Sequence, residues 1–177
     1  MNRWRTGVAA LCLVASAAVA SAQMAAPRDL EPLGFLIGNW GGAGSGQPGQ
    51  AAGTAEFSRS LQDRVILRTS FAEYPAADGR PASRHDDLMV IYAGAAGAVR
   101  ADYWDNEGHI IRYAVQTPAP GKAVFVSDGV SGEPRYRLTY EIDPSGTLKG
   151  EFAIAPPGTP EAFKPYLNWT SRKTLSK

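Results

Sequence analysis

The chain has 177 residues, 44% of them hydrophobic and 20% charged, and a formal net charge of +1. That length suits one domain able to bury a core, and the near-zero charge excludes a nucleic-acid binder held by a broad basic face. With 19 Gly and 13 Pro the chain falls below the roughly 25–30% that marks a low-complexity, disordered sequence.

The first residues read as an address. Arg3 and Arg5 precede an almost unbroken apolar run from Gly7 to Val19, and Ala20-Ser21-Ala22 supplies small residues at an A-x-A cleavage site. The run is shorter than the ~20 residues needed to span a bilayer, so Met1–Ala22 is read as a cleaved secretory signal and 23–177 as the domain. Removing 22 residues from 177 leaves 155, with 16 basic and 17 acidic side chains. Cys12, the only cysteine, lies inside the signal, and bulky Leu11 before it argues against a lipoprotein cleavage site. The mature chain thus has no disulfide and no thiolate ligand, which for an exported protein points to a bacterial periplasm or to secretion from a bacterium.

After a lead-in at Met24–Leu30, the apolar cluster Leu33, Phe35, Leu36 and Ile37 predicts a short helix that cannot stand alone. From Trp40 onward apolar residues recur with period 2 between turn residues. Strands are predicted at Gly38–Gly46, Gly53–Leu61, Arg64–Tyr74, Asp87–Ala93, Ala98–Trp104, His109–Gln116, Lys122–Ser127, Pro134–Ile142, Leu148–Ala155 and Pro165–Lys173. The links between them are short and rich in turn formers: Gly94-Ala95-Ala96-Gly97, Asp105-Asn106-Glu107-Gly108, Pro118-Ala119-Pro120-Gly121 and Asp143-Pro144-Ser145-Gly146. Links this short force antiparallel neighbours. The predicted fold is all-β: a single up-and-down antiparallel barrel of about ten strands, with the short N-terminal helix plugging one end. Ten strands enclose more space than eight, so an internal cavity is expected.

Alternation separates the faces. His109, Ile111, Tyr113 and Val115 share one face; so do Tyr136, Leu138, Tyr140 and Ile142, and so do Leu148, Phe152 and Ile154. These aromatic faces are expected to point inward. In Ala98–Trp104 the choice stays open: Arg100, Asp102 and Trp104 share one face, Val99, Ala101 and Tyr103 the other.

The segment Leu33-Gly34-Phe35-Leu36-Ile37-Gly38-Asn39-Trp40-Gly41-Gly42-Ala43-Gly44 resembles the opening of lipocalin-like (calycin) barrels, especially nitrobindin-like proteins and related bacterial families of unknown function. Tyr103-Trp104-Asp105-Asn106-Glu107-Gly108-His109-Ile110-Ile111-Arg112-Tyr113 is similar to a central hairpin of those uncharacterised families, and a last strand with Trp169 and Arg172 fits the same plan. The resemblance implies a barrel with an internal apolar site, closed by the first-strand Trp40 under a last-strand cation, Arg172. It also implies haem held by a histidine near the C-terminus, but no histidine follows His109, so no cofactor is expected.

The expected function is non-catalytic: an apolar or amphipathic small molecule held in the barrel of a monomer or homodimer, with Trp104, Tyr113, Tyr136 and Tyr140 as wall residues and Arg112 anchoring an anionic head. The alternative is a barrel enzyme of isomerase, lyase or hydrolase type acting on a small hydrophobic substrate. Its acid–base residues would be His85, Asp102 and His109, with Asp102 gaining a role if Trp104 points inward. His85-Asp86-Asp87 and His109 are expected at solvated strand starts, without a metal. Gly44-Ser45-Gly46-Gln47-Pro48-Gly49 matches G-x-G-x-x-G, but Pro48 and a following strand leave no helix N-terminus for a phosphate. Asn168-Trp169-Thr170 matches a glycosylation acceptor, with a bacterial source and a strand position against its use.

Overall fold

A computed structural model describes residues 28–46, 51–77, 79–94 and 97–174. The leader Met1–Ala22 and positions 47–49 of the glycine motif lie outside the described residues. Ten strands follow a 3-10 helix at Arg28–Leu36: β1 (Gly38–Gly46), β2 (Ala51–Ser60), β3 (Val65–Tyr74), β4 (Ser83–Ala93), β5 (Val99–Asp105), β6 (Ile110–Ala119), β7 (Lys122–Ser127), β8 (Arg135–Ile142), β9 (Leu148–Ala155) and β10 (Lys164–Lys173). Each pairs antiparallel with its sequence neighbour, and β10 returns to β1, closing the barrel. Closure gives every strand two partners and leaves no edge to aggregate.

The helix is 3-10 rather than α for a reason written in its leucines. Leu30, Leu33 and Leu36 repeat every third residue, and a helix with three residues per turn stacks them on one face. All three are fully buried, at 0% exposure, each contributing about 1.5–3 kcal/mol. The Trp40 indole Nε1–H donates to the Leu36 carbonyl at 2.7 Å, tying the helix to β1. Glu31 faces Arg59 at 3.7 Å, and Gly97 of the β4–β5 turn lies against Asp29. The helix therefore covers the end that carries the β2–β3 and β4–β5 turns. Beneath it Trp40, Phe57, Ile66, Met89, Ile91 and Phe125 fill the barrel.

Two strand boundaries matter. β4 begins at Ser83, four residues before the predicted start, because Ser83–Asp86 pair with Phe71–Tyr74 of β3. His85 thus lies within a strand and faces inward, rather than sitting in a solvated loop. β6 runs to Ala119, past a register shift between Gln116 and Ala119.

The barrel closure is also shifted by one residue from expectation. Trp40 is the buried first-strand tryptophan, at 1% exposure, but the cation over it is Lys173, with Nζ 5.3 Å from the ring centroid. Register explains this: Trp40 lies opposite Lys173, whereas Arg172 lies opposite Gly41 on the outer face.

Candidate functional site

Among the described residues, a cavity of about 500 Å³ opens at the end opposite the helix and runs down into the barrel. Its apolar part is aromatic. Tyr140, 3% exposed, meets Phe57, Phe125 and Trp169 edge-on at centroid distances of 5.6, 6.0 and 5.9 Å. Tyr113 meets Phe125 edge-on at 6.2 Å, and nearer the mouth Tyr136 stacks on Phe152 at 5.7 Å. Gly150 makes room for Trp169: a Cβ there would sit 2.0 Å from the indole. The residue opposite Trp169 on β9 must therefore be glycine for the indole to lie across the strand.

Deep in the cavity is a charged pair: Asp87, expected from the sequence at a solvated strand start, is instead buried against Arg68, which the sequence did not single out. Arg68 on β3 and Asp87 on β4 are 2.5 Å apart, their side chains 8% and 5% exposed. Arg68 also donates to the Tyr140 hydroxyl at 2.8 Å and to Ser70 Oγ at 2.9 Å, and Ser70 donates to Asp87 at 2.6 Å. Its Nε–H is buried without a hydrogen-bond partner among the described residues. Burial works against the charge, yet the Asp87 carboxylate and the Tyr140 and Tyr103 hydroxyls together outweigh it and hold the guanidinium pKa above its usual value. Burial raises the phenol of Tyr140 to about 12 and pushes Tyr113 higher still.

A second polar group sits at the mouth, built by the β5–β6 turn. Asp105 ends β5, and its Oδ1 accepts the backbone N–H of Glu107 at 3.0 Å and of His109 at 2.9 Å. Gly108 closes the turn at φ +93°, a conformation that a side chain would strain. Asp105 Oδ2 is left to face His109 Nδ1 at 2.8 Å and the Tyr103 hydroxyl at 3.2 Å. On the adjacent strand, His85 of β4 places Nδ1 3.0 Å from Glu107 and Nε2 3.0 Å from the Tyr103 hydroxyl. Burial, then the Asp87 charge, raises the Tyr103 phenol far above its ordinary value. Burial acts to raise Asp105 too, but the backbone and side chain of His109 and the backbone of Glu107 together lower it.

Of the residues singled out in the sequence, Tyr113, Tyr136, Tyr140, His85 and His109 line this cavity. Trp104, Asp102 and Arg112 do not. β5 turns Val99, Ala101 and Tyr103 inward, which puts Asp102 and Trp104 outside; Arg112 lies opposite Asp102 on β6 and shares its outer face. Asp102 accepts a hydrogen bond from Tyr92 at 3.3 Å. Trp104, 38% exposed, stands between Leu88 and Ile110 in an outer apolar row. Asn168 lies exposed on β10. Arg68, Asp87, Tyr103, Glu107 and Trp169 supply what the outward residues cannot. Parity in β3 gave no hint of Arg68, because Val65, Leu67 and Phe71 make the opposite face look more apolar.

No protein-family model and no curated protein matches the chain. Solved structures do. Protein Rv2717c of M. tuberculosis superposes with a TM-score of 0.60 at 14% identity, covering 85% of this chain and 100% of that one. The S-type phycobiliprotein lyase CPES from Guillardia theta gives a TM-score of 0.48 at 8% identity, covering 83% of this chain and 93% of that one. The closed ten-strand antiparallel order and the likeness to Rv2717c give the chain a lipocalin-like barrel fold.

Proposed function

We propose that this protein is a carrier or sensor that holds one small, largely apolar molecule inside its barrel. The observation that carries this reading is the cavity of about 500 Å³, walled by aromatic rings and ending on a buried charge pair. Binding pockets for small molecules fall at roughly 300–1,000 Å³ and combine apolar walls with a few placed polar groups. Tyr113, Tyr136, Tyr140, Phe152 and Trp169 form the wall. The polar end of the ligand would meet Arg68, Tyr140 and Tyr103. An anionic head is disfavoured: Arg68 is already neutralised by Asp87, and Asp105 and Glu107 flank the entrance. The ligand is therefore neutral at its polar end, a carbonyl or hydroxyl compound rather than a carboxylate.

Native mass spectrometry of freshly purified protein, followed by displacement of a neutral fluorescent dye such as Nile red, tests this. A co-purifying small molecule, or saturable dye binding at one site per chain, is the expected result. Neither occurring would sink the proposal.

The export reading belongs to the same proposal, on the strength of Met1–Ala22; the mass of the mature chain should then begin at Gln23. On the motif at 33–44 we further propose kinship with the nitrobindin-like proteins, without haem ligation through a C-terminal histidine, because none follows His109. Acid–base catalysis is the second reading. It keeps His85 and His109, loses Asp102 to the outer face, and is favoured by one observation, the Glu107–His85–Tyr103 hydrogen-bond chain on the cavity rim.

A further inference from the structure

We infer that the mouth of the barrel is a binding site for one divalent transition-metal ion of the zinc class, with His85, Asp105, Glu107 and His109 as its ligands. The chain contains two histidines, 24 positions apart, and the fold brings both to the same rim. One ligand atom each from His85, Asp105 and Glu107 lie within 4.8 Å of one another. His109 Nδ1 joins them, 2.8 Å from Asp105 Oδ2 and 4.0 Å from Glu107 Oε2. A tetrahedral ion about 2.0–2.2 Å from each donor would separate neighbouring donors by roughly 3.3–3.6 Å. The separations of 3.0 Å (His85 to Glu107), 2.8 Å (His109 to Asp105) and 4.0 Å (His109 to Glu107) lie on both sides of that range.

Three further features favour an ion over four side chains that merely bond to each other. The first is charge. Among the described residues, the permanent charges lining the cavity are Arg68, Asp87, Asp105 and Glu107; Arg68 pairs with Asp87, and the two rim carboxylates face only the imidazoles of His85 and His109 and the Tyr103 hydroxyl. The second is the support behind the ligands. His85 is held at both ring nitrogens, by Glu107 on one side and the Tyr103 hydroxyl on the other, so whichever nitrogen meets an ion, the other keeps a partner that fixes the ring. Asp105 is fixed by two backbone N–H groups through Oδ1, leaving Oδ2 turned to the cluster. The third is donor chemistry: two imidazoles and two carboxylates, with no thiolate, suit zinc, cobalt or nickel rather than calcium or magnesium. The ion would sit where the cavity opens, so that a bound molecule and the metal share one entrance. This site does not depend on the carrier reading, since it uses none of the aromatic wall.

The test uses the mature protein purified without a histidine tag and stripped with EDTA. Titration with Zn²⁺ in a calorimeter, and with Co²⁺ followed by visible absorption, is expected to give one ion per chain and a cobalt spectrum showing nitrogen ligation. In the wild-type protein, Zn²⁺ is expected to shift the ring resonances of His85 and His109 together, a readout that needs no variant. His85→Gln and His109→Gln should each weaken binding at least tenfold, and Tyr103→Phe by less. Glu141→Gln, on the far end of the barrel, should leave it unchanged. Circular dichroism of each variant separates lost binding from lost fold. Absence of a saturable site in the wild type, movement of only one histidine resonance, or binding that survives loss of both histidines would each overturn the inference.

Discussion

Replacing Asp87 by alanine tests the account of the cavity floor. The substitution leaves the Arg68 guanidinium, 8% exposed, without its anionic partner and removes the acceptor of Ser70. Breaking one side of a buried ion pair costs about 3–5 kcal/mol, most of it the penalty of the orphaned charge. Here Arg68 keeps Tyr140 and Ser70 as partners, and the cavity above it admits water, so the low end of that range, about 3 kcal/mol, is expected. In a domain of about 150 residues each kcal/mol lowers Tm by roughly 2–4 °C, giving a drop of about 6–12 °C. Urea denaturation monitored by far-ultraviolet circular dichroism reads the free energy directly. The paired change Arg68→Met with Asp87→Leu removes both charges and replaces them with apolar volume, and should recover most of the loss. An Asp87→Ala variant within about 1 kcal/mol of wild type would refute this reasoning. So would a double variant that loses as much as the two single changes added together, since the two charges would then be uncoupled.

Three other outcomes follow from the same geometry. Asp105 has its carboxyl lowered in the folded state, so the stability it contributes is present above the unfolded value of about 3.9 and is lost as pH falls through the lower folded value; the stability gap between wild type and Asp105→Asn should be full at pH 7 and close below about pH 4. Tyr140, raised to about 12 by burial, and the still higher Tyr103 and Tyr113 oppose ionisation in the fold, so stability should fall as pH rises above about 10, where the unfolded phenols begin to ionise, and absorbance at 295 nm should show these three tyrosines titrating only with unfolding. Lys173→Ala should cost about 0.5–1 kcal/mol through its lost contact with Trp40, while Arg172→Ala should lie within about 0.5 kcal/mol of wild type.

The barrel was legible in the sequence because its two signals, alternation and short turns, are local. Asp143-Pro144-Ser145-Gly146 and Asp105-Asn106-Glu107-Gly108 announce their hairpins, and β1, β7 and β9 occupy the ranges that the pattern predicts. The site was less legible because facing depends on register. In β5 each face carries one aromatic residue, Tyr103 or Trp104, so hydrophobicity alone is balanced; the charges of Arg100 and Asp102 were the available sign that their face meets water. In β3 the outward Val65, Leu67 and Phe71 outweigh the inward Ile66 and hide Arg68, whose place is justified only by Asp87 on the next strand. His85 looked solvated because Ser83–Asp86 carry no alternating apolar pattern; their strand exists through pairing with β3. Arg172 and Lys173 are adjacent, and only the opposition of Trp40 to Lys173 decides which of them caps the indole.

The central claim, that the barrel interior is a binding site, is tested most directly by filling it. Ala72 faces the cavity from β3 beside Gly53 of β2, and Ala72→Trp would place an indole in that space while leaving the aromatic wall and the Arg68–Asp87 pair intact. Titration of both proteins with a neutral apolar dye should give one saturable site per wild-type chain and affinity at least tenfold weaker in the filled variant, with unchanged circular dichroism. No saturable binding to the wild type, or equal affinity in a folded Ala72→Trp protein, would contradict the claim.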